Sequence, residues 1–265
     1  MKVKALISSV VVLAMAQTAS ASFWGKVKNV FHDCKYEEID RPLIEFEKAN
    51  TPKLADNIVG GFSLDQVHEK PWIRDFRYVI VVNKAERGPT AQTMRVYENG
   101  YLIINTKIST GREGFELKRK TQACTGAPPA SYWSNTPTGY YTPKFLSRDH
   151  ESSSWDSDMP FAVFFDVENG LALHQVYPKY AKYLGSRASG GCIRLPEGTA
   201  EDVFSRVELT EGANTPLVNK DGTPVLDAQG NIVYSTSQTW VNPKNQKVKK
   251  FKNYSALIIV EDVSN

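Results

Sequence analysis

Short apolar runs separated by turn residues constrain the fold of this chain more than any other feature of its sequence. Arg77–Asn83 is a run of β-branched and aromatic residues, and Met94–Tyr97 and Tyr101–Ser109 lie on either side of Glu98–Gly100. Runs of this composition, ended by Gly, Asn or Asp, are typical of β-strands. An Asn-Gly pair between two such runs indicates a tight hairpin. We therefore predict three strands near the start of a β-rich domain.

The other patterned segments add strands and one convincing helix. Phe161–Val167 and Leu171–Gln175 have the composition of two further strands, and Ala256–Val260 that of a last one. The sequence predicts a helix over Thr199–Val207, because Asp202 lies three residues after Thr199, as in a capping box. A strand-rich pattern with one helix predicts a mostly β domain with short helices.

The first residues have the pattern of a secretory signal. Lys2 and Lys4 precede an apolar run from Ala5 to Ala16, and small residues follow at Ala19–Ala21. The run is about a dozen residues, whereas a membrane-spanning helix needs about 20. We predict a signal peptide over residues 1–21 and an exported protein, with the periplasm as its location and membrane contact only during export. An uncleaved anchor is the alternative.

Composition changes divide the rest of the chain. Residues 22–75 are mixed and polar and are interpreted as an N-terminal extension, within which Tyr36–Lys48 has some helical character. Residues 76–265 form the predicted domain, with insertions near 112–134 and 211–253. The first insertion is either a solvated loop or a lid over a site, because long loops often carry function.

The charge balance gives no reason to expect nucleic acid as a partner. The formal net charge is +3, and loss of Lys2 and Lys4 with the signal peptide lowers it to +1. Nucleic-acid binding rests largely on clustered positive charge, which this balance lacks. The sequence also has no cluster of residues typical of a metal or nucleotide site, so we expect no cofactor.

Three cysteines in an exported chain leave one over if two of them pair. Cys34 and Cys124 are available for a disulfide, or they are simply buried thiols, and the sequence leaves both possibilities open. Cys192 stands apart because Ser189, Gly190 and Gly191 directly precede it.

The glycines before Cys192 suit a nucleophile. They allow the backbone to turn sharply and approach a ligand closely. The amides of Gly190, Gly191 and Cys192 are candidate donors to an oxyanion, and one such donor lowers an acyl-transfer barrier by roughly 3 kcal/mol. Arg194 adds a fixed positive charge that favours the thiolate and is able to hold a substrate carboxylate.

A thiol with an ordinary pKa is mostly protonated at neutral pH, so a base is needed. Of the four histidines, His174 ends an apolar strand shortly before Cys192 and is the best candidate. Spacing alone leaves structural roles open for both residues.

Several ordered motifs resemble the L,D-transpeptidase catalytic domain, the YkuD-type fold. Ala172–His174 and Ser189–Arg194 correspond to the family's histidine strand and cysteine motif, with Cys192 eighteen positions after His174. Thr136–Pro143 and Asp158–Phe161 are similar to the family's Thr-Pro-Thr-Gly and Met-Pro-aromatic segments. The resemblance extends over residues 77–207. It implies a β-sandwich-like domain.

The resemblance also implies an activity on peptidoglycan peptide stems. Cys192 would form a thioester with a tetrapeptide stem, and an amine acceptor would then give a 3-3 crosslink, an exchanged D-amino acid or an attached protein. Water as acceptor would make the chain an L,D-carboxypeptidase. A catalytically idle wall-binding module is the third possibility.

Two departures from the family pattern affect the predicted pocket. The family often has His where Gly190 stands and Gly where Gln175 stands. Ser189, Gln175, Tyr140 and Arg194 are the candidate substrate-binding residues, and the family's base is oriented by a backbone carbonyl rather than by an Asp.

Overall fold

The structure of the protein, a computed structural model, describes residues 36–38, 48, 51–57, 59–117, 120–122, 131–152, 157–242 and 245–264. Most of these residues are in strands or in the turns between them. Among them no helix is both long enough and apolar enough to cross a membrane. The described strands, in chain order, are β1 Tyr36–Glu38, β2 Tyr78–Asn83, β3 Thr93–Glu98, β4 Tyr101–Lys107, β5 Phe115–Leu117, β6 Lys120–Gln122, β7 Ser131–Trp133, β8 Gly139–Tyr141, β9 Phe145–Ser152, β10 Ser157–Asp166, β11 Leu171–Gln175, β12 Ile193–Leu195, β13 Thr215–Pro216, β14 Tyr234–Ser235, β15 Ser237–Val241, β16 Val248–Lys252 and β17 Ala256–Glu261.

Helices are short, as predicted. The α-helices among the described residues are α1 Gln66–Glu69 and α2 Thr199–Glu208, and Pro71–Asp75 and Pro178–Tyr183 form 3₁₀ helices. The mostly β class predicted from the sequence is therefore confirmed.

The chain forms two compact units. The smaller one comprises Met1–Ile44 and Leu117–Ser131, and in it β1 pairs antiparallel with β6. The prediction of helical character from Tyr36 onwards is wrong for Tyr36–Glu38, which form a strand because their backbone pairs with β6. The predicted signal peptide, Cys34 and Cys124 lie outside the described residues.

The larger unit comprises Glu45–Glu116 and Tyr132–Asn265 and contains two principal sheets. The first has the strand order β4-β3-β2-β17-β8. Its two central strands, β2 and β17, run parallel and are buried along their whole length. Burial of both faces explains why both read as continuous apolar runs rather than as alternating patterns.

The second sheet has the order β12-β11-β10-β9, with β11 parallel to β12 and the other pairs antiparallel. β10 starts four residues before the predicted strand, at Ser157. Phe161 adopts a positive φ of 56° inside β10, where the side-chain alternation is interrupted. Because of this irregularity, the alternation of apolar and polar residues does not predict the first part of the strand.

The two sheets and α2 enclose the main core. Ile80 from the first sheet, Leu173 from the second and Phe204 from α2 belong to one buried cluster. This layered arrangement agrees with the predicted β-sandwich-like fold. It fixes the positions of β11 and β12, the strands that carry the candidate site.

A second buried cluster lies on the other face of the first sheet. Phe62, Trp72, Ile73 and Phe76 pack there against residues of β2 and β17 such as Val81. The part of the predicted N-terminal extension from residue 51 onwards therefore belongs to the same compact unit as the strands, because its aromatic residues cover an apolar sheet face.

The helix α2 begins at the predicted residue, but its N-terminus is not capped in the predicted way. Its N-cap is Gly198 with φ of 74°, so Thr199 is the first helical residue and makes no capping hydrogen bond. Asp202 instead accepts a hydrogen bond of 2.8 Å from Arg206, one turn later. The helix is held by its apolar face, which includes Val203 and Phe204.

The segment 211–253 consists of short antiparallel pairs. β13 pairs with β14, and β15 with β16. Lys220–Gly222 and Gln229–Gly230 lie in turns of this segment.

Candidate active site

Cys192 and His174 lie on neighbouring strands of the second sheet. His174 on β11 is directly opposite Arg194 on β12, and Cys192 comes immediately before β12. The Cys192 Sγ atom contacts the backbone beside it, with the Gly170 carbonyl oxygen 3.6 Å away and the backbone of Ala172 also in reach. Because the side chains of alternate residues share a sheet face, Cys192 and His174 point to the same side. They are offset by two residues along adjacent strands, since the register places Cys192 level with Ala172.

That side is the one turned away from the main core. Leu173 and Ile193, the neighbours of the two candidate residues, point into the main core. Cys192 packs instead against a small apolar cluster that includes Phe164 and Ala172. Its thiol is free and partly exposed. Strand register thus brings the predicted nucleophile and base to one face, as the sequence implied.

A backbone carbonyl orients the imidazole of His174. The Nδ1 atom is 2.8 Å from the carbonyl oxygen of Gln175, and since a carbonyl only accepts, Nδ1 carries the proton and donates it. Nε2 is then left with its lone pair. Burial lowers the pKa of His174 to about 4, with the positive charge of Arg194 adding to the effect against the Gln175 hydrogen bond. At neutral pH His174 is therefore an uncharged base.

The thiol of Cys192 is also uncharged at rest. Burial raises its pKa, and the contact with the Ala172 backbone and the charge of Arg194 act in the opposite direction. Arg194 acts in the predicted direction, towards the thiolate, but desolvation has the larger effect and the net change in the pKa is upward. The pair is a neutral thiol beside a neutral imidazole.

Hydrogen bonds within the cysteine loop narrow the set of oxyanion donors. The Gly191 N–H donates to the Ser189 hydroxyl over 3.0 Å, and that hydroxyl donates to the Cys192 carbonyl. The Gly191 amide is therefore already used, which corrects the prediction that it faces an oxyanion. Gly190 and Cys192 remain as the candidate donors. Ser189 is fully buried, so it supports the loop and does not touch substrate.

A second hydroxyl fixes the loop from the other side. Thr136 Oγ1 donates to the Gly191 carbonyl over 2.6 Å and accepts the Gly111 N–H over 2.9 Å. Gly191 has φ of 132°, and a Cβ there would lie 3.1 Å from the Asn135 carbonyl oxygen. Residue 191 therefore has to be glycine for the backbone to adopt this conformation. The Gly191 amide stabilises the loop through its hydrogen bond to Ser189.

Arg194 is a partly buried cation close to the nucleophile. Its guanidinium donates to the Ala188 carbonyl over 3.1 Å and lies 5.3 Å from the centre of the Tyr180 ring. Burial and the nearby charge of Arg112 lower its pKa. Within the described parts of the chain no carboxylate pairs with Arg194, whereas Arg112 is paired with Glu116 at 2.5 Å. Arg194 is thus able to receive the carboxylate of a ligand.

The YkuD family model, described as the L,D-transpeptidase catalytic domain, matches residues 77–226. The chain belongs to this family. The matched range includes both strands of the site and ends inside the C-terminal insertion. The resemblance drawn from the motifs is thereby confirmed.

Solved structures of L,D-transpeptidases are similar to this chain at low identity. One from Mycobacterium tuberculosis H37Rv is 16% identical, with 71% of this chain and 58% of that chain covered and a TM-score of 0.40. One from Xylanimonas cellulosilytica DSM 15894 is 14% identical, with 79% and 63% covered and a TM-score of 0.39. The chain spans less than two thirds of the length of both. A comparison with curated proteins finds no match.

Two of the predicted substrate-binding residues differ in role from the prediction. Gln175 acts through its backbone carbonyl, which holds His174. Tyr140 is only 2% exposed, its ring packs against Trp72 in the second core cluster, and its hydroxyl accepts a hydrogen bond from Lys70. Tyr140 therefore belongs to the core and does not line the site.

One further histidine near the site escaped the sequence analysis. His150 lies on β9 opposite Met159, with its ring 4.8 Å from that of Phe164. Phe164 belongs to the small cluster against which Cys192 packs, so the ring of His150 lies on the same sheet face, and its charge acts to lower the pKa of His174. No signal pointed to it, because β9 has charged residues in mid-strand and was not recognised as a strand. The described residues contain no group of three or more His, Cys, Asp or Glu that could hold a metal ion.

The resting state of the thiol predicts how its reactivity depends on pH. Because burial raises the pKa of Cys192, alkylation of this residue by iodoacetamide should increase about tenfold per pH unit and keep increasing past pH 9. Mass spectrometry of the Cys192 peptide measures this rate apart from those of Cys34 and Cys124. A plateau reached below pH 7 would instead indicate a thiolate–imidazolium pair.

The support given by Ser189 predicts a loss of both stability and activity in Ser189→Ala. The substitution leaves the Gly191 N–H and the Cys192 carbonyl without their partner, at a cost of about 1–3 kcal/mol in unfolding free energy. For a chain of this size the melting temperature then falls about 2–4 °C per kcal/mol. Ser186→Ala is the matched control, because its exposed hydroxyl bonds only to the Tyr183 carbonyl. Equal melting temperatures for the two variants would contradict the proposed support.

Proposed function

We propose that this chain is an exported L,D-transpeptidase that acts on peptidoglycan tetrapeptide stems through a thioester on Cys192. The observation that carries the proposal is the strand register that brings Cys192 and His174 to one sheet face, with Nε2 of His174 left as the acceptor. A nucleophile, a base and an orienting group in this order are the parts that acyl transfer requires.

The first half-reaction makes the acyl-enzyme. The Cys192 sulfur attacks the carbonyl carbon of the residue before the terminal D-amino acid, commonly meso-diaminopimelate before D-Ala in this family. His174 Nε2 takes the thiol proton as the C–S bond forms. The amide C–N bond then breaks, and the leaving amine receives the proton from His174.

The residues around Cys192 and His174 support this order of chemical steps. The amides of Gly190 and Cys192 are the donors left for the negative oxygen of the tetrahedral intermediate. Arg194 is placed to hold a carboxylate of the stem, since no carboxylate of the described residues neutralises it. Neutral resting groups also fit a buried site, because charge appears there only as the reaction proceeds.

The second half-reaction depends on the acceptor. An amine of another stem attacks the thioester carbonyl, the C–S bond breaks, and the sulfur recovers a proton through His174. The product is a 3-3 crosslink, an exchanged D-amino acid or an attached protein. Water in the same position gives a tripeptide, which is L,D-carboxypeptidase activity.

Purified mature protein incubated with disaccharide tetrapeptides tests the proposal. We expect release of D-Ala and the appearance of dimers in mass spectra. Tripeptide alone would make the chain a carboxypeptidase. Unchanged substrate, with no carbapenem adduct on Cys192 and with protein still pelleting with sacculi, would overturn the proposal in favour of an idle wall-binding module.

Export is the other part of the proposal. Residues 1–21 have the pattern of a signal peptide, and its removal would leave Ser22 as the first residue. N-terminal sequencing of protein recovered from the cell envelope should begin at Ser22. Recovery from the cytoplasm with Met1 intact would contradict export.

A further inference from the structure

Three tyrosines form an exposed row between His174 and Cys192 in the sequence. Tyr177, Tyr180 and Tyr183 are 46%, 38% and 43% exposed. Single exposed aromatic residues are ordinary in soluble proteins, but contiguous ones mark a surface that binds something. We call these three residues the tyrosine row.

The backbone lines up the tyrosine row. Tyr180 and Tyr183 belong to the 3₁₀ helix Pro178–Tyr183, and Tyr177 directly precedes it. A 3₁₀ helix has three residues per turn, so side chains three apart lie above one another. The ring centres are 6.4 Å apart from Tyr177 to Tyr180 and again 6.4 Å from Tyr180 to Tyr183.

Each ring of the tyrosine row has a lysine ammonium group close to it. Lys179 Nζ lies 5.3 Å from the Tyr177 ring centre and 4.9 Å from that of Tyr180, and Lys182 Nζ lies 5.2 Å from the Tyr183 ring centre. These contacts hold the rings and also leave positive charge beside them. The surface therefore combines electron-rich ring faces with ammonium groups.

The tyrosine row is continuous with the candidate site. The Tyr180 ring contacts the guanidinium of Arg194, which in turn acts electrostatically on Cys192. A polymer lying along the row would consequently have a side branch within reach of the nucleophile.

We infer that the tyrosine row binds the glycan strand of peptidoglycan while its peptide stem enters the site, an inference that rests on the proposed function. The C–H faces of sugar rings carry partial positive charge and stack on the negative faces of aromatic rings. Lys179 and Lys182 are able to donate hydrogen bonds to the hydroxyl and acetamido oxygens of such a strand. A nucleic acid is less suited, because the whole chain has a net charge of only +3.

The test separates glycan binding from chemistry at the stem. The variant is Tyr177→Ala/Tyr183→Ala, which leaves Tyr180 in contact with Arg194. The matched control is Tyr101→Ala, which removes a tyrosine that is 78% exposed on β4. Pelleting with protease-treated sacculi measures binding, and turnover of a free tetrapeptide without sugar measures basal activity.

We expect the double variant to bind sacculi at least tenfold more weakly, with turnover of the free tetrapeptide within twofold of the unsubstituted protein. The control should match the unsubstituted protein in both assays. Glycan strands freed from their stems by an amidase and immobilised on beads should still bind the unsubstituted protein and not the double variant.

Equal binding by the double variant and the control would overturn the inference. So would binding that disappears when sacculi are protease-treated, which would indicate a protein partner, or when their stems are removed. If the unsubstituted protein fails on the free tetrapeptide while the double variant alone loses sacculus binding, the proposed function fails and glycan binding stands.

Discussion

Cys192→Ala is expected to abolish acyl transfer entirely. The substitution removes the free thiol that shares a sheet face with His174, so no thioester is able to form at this position. In enzymes of this type, loss of the nucleophile lowers kcat by about 10⁶-fold. The measurement is release of D-Ala from disaccharide tetrapeptides, together with the mass of the protein after exposure to a carbapenem.

The Cys192→Ala experiment has to distinguish a loss of catalysis from a loss of folded structure. Cys192 is partly exposed at the edge of a small apolar cluster, so alanine there leaves little empty space. We expect the variant to melt within a few degrees of the unsubstituted protein and to pellet with sacculi as before. A carbapenem adduct that persists in Cys192→Ala and maps to Cys34 or Cys124 would contradict the assignment of the nucleophile.

The strands were predictable from the sequence where the composition of the segment itself is typical of a strand. β2 and β17 were found because both are buried on both faces and consist almost wholly of β-branched and apolar residues. β9 was not, because several of its residues are charged and its partner β10, rather than its composition, makes it a strand. The start of α2 was located correctly, although Gly198 and not a capping box forms it.

The sequence predicted that His174 and Cys192 lie close together, but not the hydrogen bonds and burial around them. The order of His174 and Cys192 along the chain implied that they meet, and parallel pairing of β11 with β12 brings them to one face. The role of the Gly191 amide depends on a hydroxyl two residues away, which no reading of glycine content reveals. The balance between burial and the Arg194 charge at Cys192 likewise needs three-dimensional packing.

Tyr140 illustrates the limit of a motif-based assignment. It lies within the Thr-Pro-Thr-Gly segment that resembles the family, yet β8 turns its side chain towards Trp72 and the second core cluster. Its neighbour Thr136, in the same segment, is the residue that reaches the cysteine loop. A matching segment thus indicates a conserved local shape more reliably than it indicates which side chain touches the substrate.

His174→Ala is expected to lower acyl transfer about 10²–10⁴-fold at pH 7, the usual contribution of a positioned general base. Since His174 has a pKa of about 4, the unsubstituted protein keeps a neutral base, and its activity should change little between pH 5 and pH 8. Activity of the unsubstituted protein is lost only as the pH falls through about 4, where the imidazole gains a proton.

The variant should depend on pH in a different way. Without His174 the thiol must lose its proton to solvent, and because burial raises the Cys192 pKa, the rate should increase about tenfold per pH unit towards pH 9. The difference from the unsubstituted protein therefore narrows with increasing pH, and added imidazole should restore part of the activity at pH 7. His68→Ala is the control, since its imidazole lies on α1 beside Arg74. A constant difference at every pH would mean that His174 positions the stem or the loop instead of taking the thiol proton.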